Sequence, residues 1–292
     1  MDFLEPSAKL AHATSENSRL RNAQKNYSTA DSLETRLRFY RSRFRYSLPL
    51  RADLEQFADR FSKVLEIGCG TLEPLLPVAN RRDSGQLWGL DSSAAMLARA
   101  RANLPAASLC RADAGHLPFQ ASSFPLVWAR HMLYHVSDPS AVLREAARVL
   151  TNEGVFCLTT NGRGNKPELH ELHLDLAARV GVPVSPGSDS ARFPAEGVAE
   201  ALRSYFACVV TLDYEGFFAF DDASEFVDYY LSTVYAEELR AAGISNSDLS
   251  RLAAEVLATT KSLRLSNSGV VALAASSPDV FSGTRLIERA NS

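Results

Sequence analysis

Short apolar runs alternate with amphipathic segments through most of the 292-residue chain. Segments such as Ser92–Asn103 and the one opened by Asp138 and Pro139 carry apolar residues at helical spacing. Short strands that alternate with helices are typical of a parallel sheet covered on both faces, so the pattern predicts an α/β fold. The predicted strands are Lys63–Ile67, Gln86–Leu90, Ala107–Arg111, Phe124–Ala129, Gly154–Thr160, Ala207–Tyr214 and Val270–Ala275.

The two ends of the chain depart from this alternation. Residues 1–26 show no hydrophobic periodicity and are predicted to form a mobile tail. Residues 27–62 are predicted to be helical, and residues 63–292 to form one domain with a helical cap inserted at about 222–261. The first N-terminal helix is predicted from apolar residues at three- and four-residue steps, namely Leu33, Leu37, Tyr40 and Phe44.

Composition narrows the classes of partner. The formal net charge of −3 creates no strong electrostatic attraction to nucleic acid or to anionic lipid. No apolar run approaches the ~20 residues that span a bilayer, and the N-terminus lacks the apolar stretch of a signal peptide. We therefore expect a cytoplasmic protein with a small-molecule partner. No metal is expected, because no His, Cys and carboxylate cluster has ligand spacing.

A glycine loop follows the first predicted strand of the domain. Gly68 and Gly70 flank Cys69, and glycines at this place let the backbone turn sharply and approach a ligand closely. Glu66 precedes the loop, and Asp91 ends the next strand about twenty residues later, where an acidic group accepts hydrogen bonds from ribose hydroxyls. The pattern predicts a cofactor that contains a nucleoside.

Two classes of cofactor use this geometry. A dinucleotide fingerprint needs a third glycine where Glu73 stands, and an anion there opposes pyrophosphate. Pro74 and Pro77 also disturb the turn that would receive it. Glu66 adds a second negative charge, which suits a cationic ligand such as the amino acid end of S-adenosylmethionine. The remaining alternative is a glycine turn that only ends a strand.

Residues 63–160 resemble the class I S-adenosylmethionine-dependent methyltransferases. The resemblance implies a Rossmann-like, doubly wound sheet of seven mostly parallel strands, with the last strand antiparallel and a small helical cap. It also implies S-adenosylmethionine as the cofactor and a methyltransferase domain over residues 63–292. The motifs that carry it stand in order along the chain: Val64–Thr71, Gly89–Leu97, Arg111–Phe119, and Phe124–Val136 followed by Asp138–Leu150.

The resemblance also implies which residues hold the cofactor. The loop from Gly68 to Gly70 would lie beneath it, Asp91 would bind the ribose and Asp113 the adenine amino group. Arg130 would approach the methionine moiety, and the helices of residues 27–62 would cover the site. The full set implied is Tyr27, Glu66, Gly68, Cys69, Gly70, Asp91, Ser92, Met96, Asp113, Ala114 and Arg130.

The acceptor is expected outside the carboxyl ends of the strands, where open α/β sheets bind ligands. His131 is the first candidate for a general base, and Glu171 would matter if the substrate passed through a carbocation. Their alternatives are a histidine bonded to a loop carbonyl and a carboxylate that stabilises a first helical turn. Aromatic residues in the cap favour an apolar or aromatic acceptor, methylated on oxygen, nitrogen or carbon.

Two other functions compete with this prediction. A methyltransferase-like protein could bind S-adenosylmethionine without catalysis. A nucleic acid methyltransferase is disfavoured, because the chain has no basic excess and carries Arg130-His131-Met132-Leu133 where an Asn/Asp-Pro-Pro-aromatic motif would follow the fourth strand. The sequence leaves a homodimer open.

Overall fold

An eight-stranded sheet runs through the described part of the chain. The computed structural model describes residues 25, 27, 29–46, 50–81, 86–184, 189–258 and 263–290. Apart from Lys25, the predicted tail of residues 1–26 lies outside these ranges. The strands are β1 (Phe44–Tyr46), β2 (Val64–Ile67), β3 (Leu87–Asp91), β4 (Ser108–Arg111), β5 (Phe124–Arg130), β6 (Leu150–Asn161), β7 (Cys208–Ala219) and β8 (Arg264–Ala275).

The sheet has the strand order β1-β7-β8-β6-β5-β2-β3-β4. Strands β4, β3, β2, β5 and β6 pair in parallel, which places their carboxyl ends along one edge. Strand β8 is antiparallel to both β6 and β7, so the antiparallel final strand is confirmed. The fold is the Rossmann-like α/β fold predicted, with one additional strand.

The additional strand, β1, corrects the N-terminal prediction. The first helix ends at Ser42, so Phe44 belongs to a strand that pairs antiparallel with β7, opposite Phe218. Phe44 is buried with its ring centroid 4.7 Å from that of Phe218. Gly216 makes room, because a Cβ there would lie 2.6 Å from the Phe44 ring. Strand pairing with a remote edge thus overrides the helical spacing of Phe44.

Helices cover both faces of the sheet and the ends of its strands. Val64 and Leu65 of β2 belong to the two separate apolar layers on opposite faces, as expected for a doubly wound fold. The α-helices are α1 (Asp31–Ser42), α2 (Leu50–Ala58), α3 (Leu76–Ala79), α4 (Ala94–Asn103), α5 (Pro139–Val149), α6 (Pro167–Val180), α7 (Val198–Arg203), α8 (Ala223–Leu231), α9 (Val234–Ala241), α10 (Asn246–Leu257) and α11 (Arg285–Ala290).

Helices α8, α9 and α10 lie between β7 and β8, where the cap was predicted. Helices α8 and α9 are separated at Ser232 and Thr233. Their hydroxyls donate to the carbonyls of Tyr229 and Tyr230, each at 2.6 Å, and such bonds favour a helix end. The cap packs on α1 and α6 through a third apolar cluster. None of the helices described is long and apolar enough to cross a membrane.

Candidate active site

A cavity of about 1050 Å³ opens at the carboxyl ends of the parallel strands. A pocket for one drug-sized ligand typically measures about 300–1,000 Å³, so this cavity has room for a cofactor and a second small molecule. Every residue predicted to bind the cofactor lines it: Tyr27, Glu66, Gly68, Cys69, Gly70, Asp91, Ser92, Met96, Asp113, Ala114 and Arg130.

The glycine loop forms the floor of the cavity. Gly68 has φ +64° and Gly70 has φ +52°, a backbone conformation that favours glycine. A Cβ at Gly68 would lie 2.8 Å from the Cβ of Met132. The loop is tied to β3 by the Cys69 N–H, which donates to the Leu90 carbonyl at 2.9 Å. The loop has no room for a side chain at Gly68. We call this loop, residues 68–70, the glycine cradle.

Asp91 is held at the end of β3 by backbone groups. Its Oδ2 accepts from the Gly70 N–H at 2.9 Å and its Oδ1 from the Ser93 N–H at 2.8 Å. Burial raises the pKa of Asp91, and these two N–H groups, with that of Ser92, lower it. A carboxylate offers about four acceptor positions, so both oxygens can accept further bonds from a ribose.

Glu66 and Arg130 form an ion pair inside the cavity wall. Arg130 Nε donates to Glu66 Oε1 at 2.8 Å, and its Nη2 lies 2.7 Å from the same oxygen. Burial raises the pKa of Glu66, and Arg130 lowers it. Within the described chain, Glu66 Oε2 is buried without a hydrogen-bond partner. Such an oxygen is costly to leave unpaired, so the site fits a ligand with a cationic donor.

Tyr27 joins two walls of the cavity. Its hydroxyl lies 3.3 Å from His135 Nε2, and its carbonyl accepts from Ser93 Oγ at 3.0 Å. The Arg36 guanidinium of α1 lies 5.3 Å from the centroid of the Tyr27 ring. The N-terminal segment thus contacts both the loop after β3 and the turn after β5.

His131 lines the cavity in a left-handed conformation, with φ +51°. Its N–H donates to the Thr159 carbonyl at 2.8 Å, whereas its Nδ1 is buried and has no hydrogen-bond partner among the described residues. Burial, and next the charges of Lys166 and Arg130, lower the pKa of His131 to about 3. The imidazole is therefore neutral at physiological pH.

The position of Glu171 gives no support to its predicted role in catalysis. It lies on the exposed side of α6 and does not line the cavity described above, whereas Leu169 does. Residues two apart on a helix point to different faces, so Leu169 and Glu171 cannot both face the site.

The aromatic residues of the cap divide between cavity and core. Tyr229 and Tyr235 line the cavity, as does Tyr134 from the turn after β5. The buried His173 is bonded to Tyr230 and Glu238 and belongs to the packing beneath the cap. Other aromatic residues of the cap and of the strand before it are buried in the core and do not line the cavity, namely Phe218, Phe220, Phe226 and Tyr230.

Lys166 is a cavity residue that the sequence reasoning missed. It directly precedes α6, has φ +55° and is only 7% exposed. Its Nζ donates to the Tyr40 hydroxyl at 3.3 Å. Burial, and next the charge of Arg36, lower the pKa of Lys166 to about 7. The available signal was a lysine just after the Gly/Asn turn of residues 161–165, at the carboxyl end of a predicted strand.

Residues 65–158 match the family model for a methyltransferase domain. In the described residues, no group of three His, Cys, Asp or Glu side chains could hold a metal ion. The glycine cradle, the Asp91 carboxylate and the unpaired Glu66 oxygen all fit a cationic nucleoside cofactor. Residues 65–158 are thus similar to a methyltransferase domain, and the features of the cavity fit S-adenosylmethionine as the cofactor.

The similarity to curated relatives is partial. The chain is 35% identical over 117 residues to 27-O-demethylrifamycin SV methyltransferase of Amycolatopsis mediterranei, covering 38% of this chain and 40% of that protein. It is 34% identical over 115 residues to malonyl-[acyl-carrier protein] O-methyltransferase of Enterobacter lignolyticus, covering 39% and 45%. The chain thus spans less than half the length of these two relatives.

Among solved structures, the YcgJ protein from Bacillus subtilis has a TM-score of 0.51 and 17% identity to this chain. The match covers 76% of this chain and 96% of that one. At this identity the likeness shows the fold alone.

Proposed function

We propose that this chain transfers the methyl group of S-adenosylmethionine to a small-molecule acceptor. The observation that supports it best is one cavity with two unlike ends. Among the lining residues, Glu66, Asp91 and Asp113 belong to or follow β2, β3 and β4 at one side of the sheet, whereas Lys166 follows β6 and Tyr229 belongs to the cap. An acidic end suits a cationic cofactor, and the other end has aromatic walls for an acceptor.

The protein's own residues would bind and orient the cofactor. The backbone at Gly68 and Gly70 would approach it closely, and Asp91 would accept hydrogen bonds from the ribose hydroxyls. Asp113, whose Oδ1 accepts from the Gly115 N–H at 2.7 Å, would accept from the adenine amino group. Glu66 Oε2 would accept from the ammonium group of the methionine moiety. When bound, the cofactor supplies an activated methyl group.

The protein's contribution to the chemistry would be alignment and the exclusion of water. His131 would lie beside the acceptor. Because its pKa is about 3, its imidazole is a weak base and could take a proton only from an acceptor that becomes strongly acidic as it is methylated. The relatives named above act on a rifamycin and on a malonyl-acyl carrier protein, as their names state. They support an acceptor other than nucleic acid, without naming the atom methylated.

Replacement of Asp91 by Ala tests the cofactor site. Calorimetry should show affinity for S-adenosylhomocysteine falling about 10- to 100-fold, because a hydrogen bond to a charged group contributes roughly 1.5–3 kcal/mol. Asp59→Ala is the matched control, since Asp59 pairs with Arg81 on the exposed surface. Unchanged affinity in Asp91→Ala, or a preference for a nicotinamide dinucleotide, would overturn the assignment.

Turnover separates the enzyme from a protein that only binds the cofactor. We expect S-adenosylhomocysteine to form when the chain is given S-adenosylmethionine and a panel of aromatic acids, phenols, amines and alcohols. Tight cofactor binding without turnover across the panel would favour the non-catalytic alternative.

A further inference from the structure

Lys166 lines the cavity from the segment after β6, which is two strands away from β2 and its glycine loop in the sheet order. Its N–H donates to the Ser266 carbonyl at 3.0 Å, which anchors the residue between α6 and β8. Its ammonium lies 5.7 and 5.5 Å from the ring centroids of Tyr40 and Phe218. The side chain is therefore enclosed by aromatic rings and lines the cavity at the same time.

No carboxylate of the described ranges forms an ion pair with Lys166 within 4.0 Å. Glu168 acts on it electrostatically, but the two oxygens of that carboxylate accept from the N–H and hydroxyl of Ser266. A buried ammonium is stable only when it is paired or deprotonated. Lys166 therefore lacks a counter-ion that a ligand in the cavity could supply.

The neighbours of Lys166 reinforce this positive charge. Arg36 of α1 donates to the Ser232 carbonyl and lines the same wall. Its charge lowers the pKa of both Lys166 and Tyr40. The carboxylates Glu66 and Asp91 belong to the end that we assign to the cofactor. The end under the cap is therefore cationic and aromatic.

We propose that the methyl acceptor carries an acidic oxygen, a carboxylate or a phenolate, and that the Lys166 ammonium binds this oxygen. This inference rests on the proposed function and names its substrate class. A lone pair of the acceptor oxygen forms the bond to the methyl carbon, while the carbon–sulfur bond breaks with its electron pair on sulfur. The products are a neutral ester or ether and S-adenosylhomocysteine. An oxyanion has no proton to lose, so this step needs no base.

Release of the product follows from the same arrangement. Methylation removes the negative charge, which leaves Lys166 again without a counter-ion. A neutral ester or ether should therefore bind less tightly than the acid from which it forms.

The binding should also depend on pH. Above the pKa of Lys166, which is about 7 without a ligand and rises when an anion binds, the ammonium loses its proton and the attraction disappears. Affinity for a carboxylate, which stays ionised over this range, should therefore fall as the pH rises from 7 to 10. The titratable and charged groups that face Lys166 are Arg36, Tyr40, His131, Glu168 and, through its bond to Tyr40, Tyr229.

The test measures the binding of simple probes to the chain saturated with S-adenosylhomocysteine. The probes are 2-naphthoate and 2-naphthol, with 2-naphthamide and 2-methoxynaphthalene as neutral counterparts. We expect at least one acid to bind about 10- to 100-fold more tightly than its counterpart, the range for a charged hydrogen bond. The acid that shows this preference distinguishes a carboxylate site from a phenolate site.

Lys166→Met should abolish the preference while leaving affinity for S-adenosylhomocysteine unchanged. Lys63→Met is the control, because the Lys63 ammonium also lies against aromatic rings, 4.8 and 4.1 Å from the centroids of Trp88 and Phe124, but outside the cavity. Cofactor binding that survives in Lys166→Met also shows that this variant folds.

Three results would overturn the inference: equal affinity of acids and neutral counterparts, a preference that persists in Lys166→Met, or no binding of either acid at millimolar concentration. Failure of the wild-type chain to bind S-adenosylhomocysteine is a separate result, which would overturn the proposed function itself.

Discussion

Arg130 pairs with one oxygen of Glu66 and leaves the other, Oε2, buried without a partner in the described structure. The two residues come from the adjacent parallel strands β5 and β2. The arginine therefore compensates the charge of Glu66 without occupying its whole carboxylate. Glu66 lines the cavity that we assign to a cationic cofactor.

Breaking this ion pair should destabilise the fold even without ligand. We expect Arg130→Met to lower the free energy of unfolding by about 3 kcal/mol, because it leaves Glu66 charged and buried. The double variant Glu66→Gln/Arg130→Met should recover part of this loss. Denaturant unfolding of both single variants and the double variant measures the coupling. Strictly additive changes would contradict a direct pairing of the two side chains.

The conformation of Gly68 gives a second prediction. Gly68→Ala should lower the free energy of unfolding by about 2 kcal/mol, since a non-glycine residue at φ +64° is strained and its Cβ would meet Met132 at 2.8 Å. It should also weaken binding of S-adenosylhomocysteine. Gly164→Ala is the control, because a Cβ at Gly164 meets nothing within 4 Å. Thermal unfolding and calorimetry are the measurements, and equal effects of both variants would argue against the cradle.

Lys166 should make stability depend on pH. Its pKa is about 7 in the folded chain and 10.5 as the ordinary value, so between these pH values the unfolded chain binds more protons. Stability from this residue therefore rises with pH from 7 to 10.5, with a slope of up to about 1.4 kcal/mol per pH unit. Below pH 7 the residue carries its full penalty.

Measurement of the unfolding free energy against pH in both the wild type and Lys166→Met isolates the contribution of Lys166 to stability. The difference in unfolding free energy between wild type and variant should shrink as the pH rises from 7 to 9. A difference that stays constant over that range would mean that Lys166 keeps an ordinary pKa in the folded chain.

His131 and Glu171 should differ in their effect on turnover. If His131 accepts a proton, His131→Ala should lower turnover about 10²- to 10⁴-fold and leave the affinity for S-adenosylhomocysteine nearly unchanged. Glu171→Ala should have full activity, because Glu171 lies on the exposed side of α6. Steady-state formation of S-adenosylhomocysteine with an acceptor from the panel checks both. If only alignment matters, the loss in His131→Ala should appear largely in the KM of the acceptor.

The lowered pKa of His131 predicts how turnover depends on pH. Since this pKa is about 3, the imidazole keeps its neutral form from pH 5 to 8. The pH profile of turnover should therefore have the same shape in the wild type and in His131→Ala over this range. Such an inflection near pH 6.5 would mean that the imidazole is accessible to water and titrates normally.

The sequence by itself determined the parallel core and the position of the cofactor end of the cavity. Gly68 and Gly70 indicate a sharp turn through their backbone freedom alone, and Asp91 ends the next strand. Because parallel strands bring their carboxyl ends to one edge, residues that follow different strands must meet there. These rules depend on local backbone geometry and on alternation along the chain, which are visible in the order of the residues.

Tertiary structure decided the rest, because the deciding interactions join distant segments. Phe44 left its helical pattern to pair with β7, whose edge lies more than 170 residues away in the chain. The orientation of α6 in the fold brings Leu169 to the cavity wall and leaves Glu171 exposed to solvent. Lys166 acquired its altered pKa only through burial beside Arg36. A charge's energy depends on the water and the charges around it, and the fold alone brings those together.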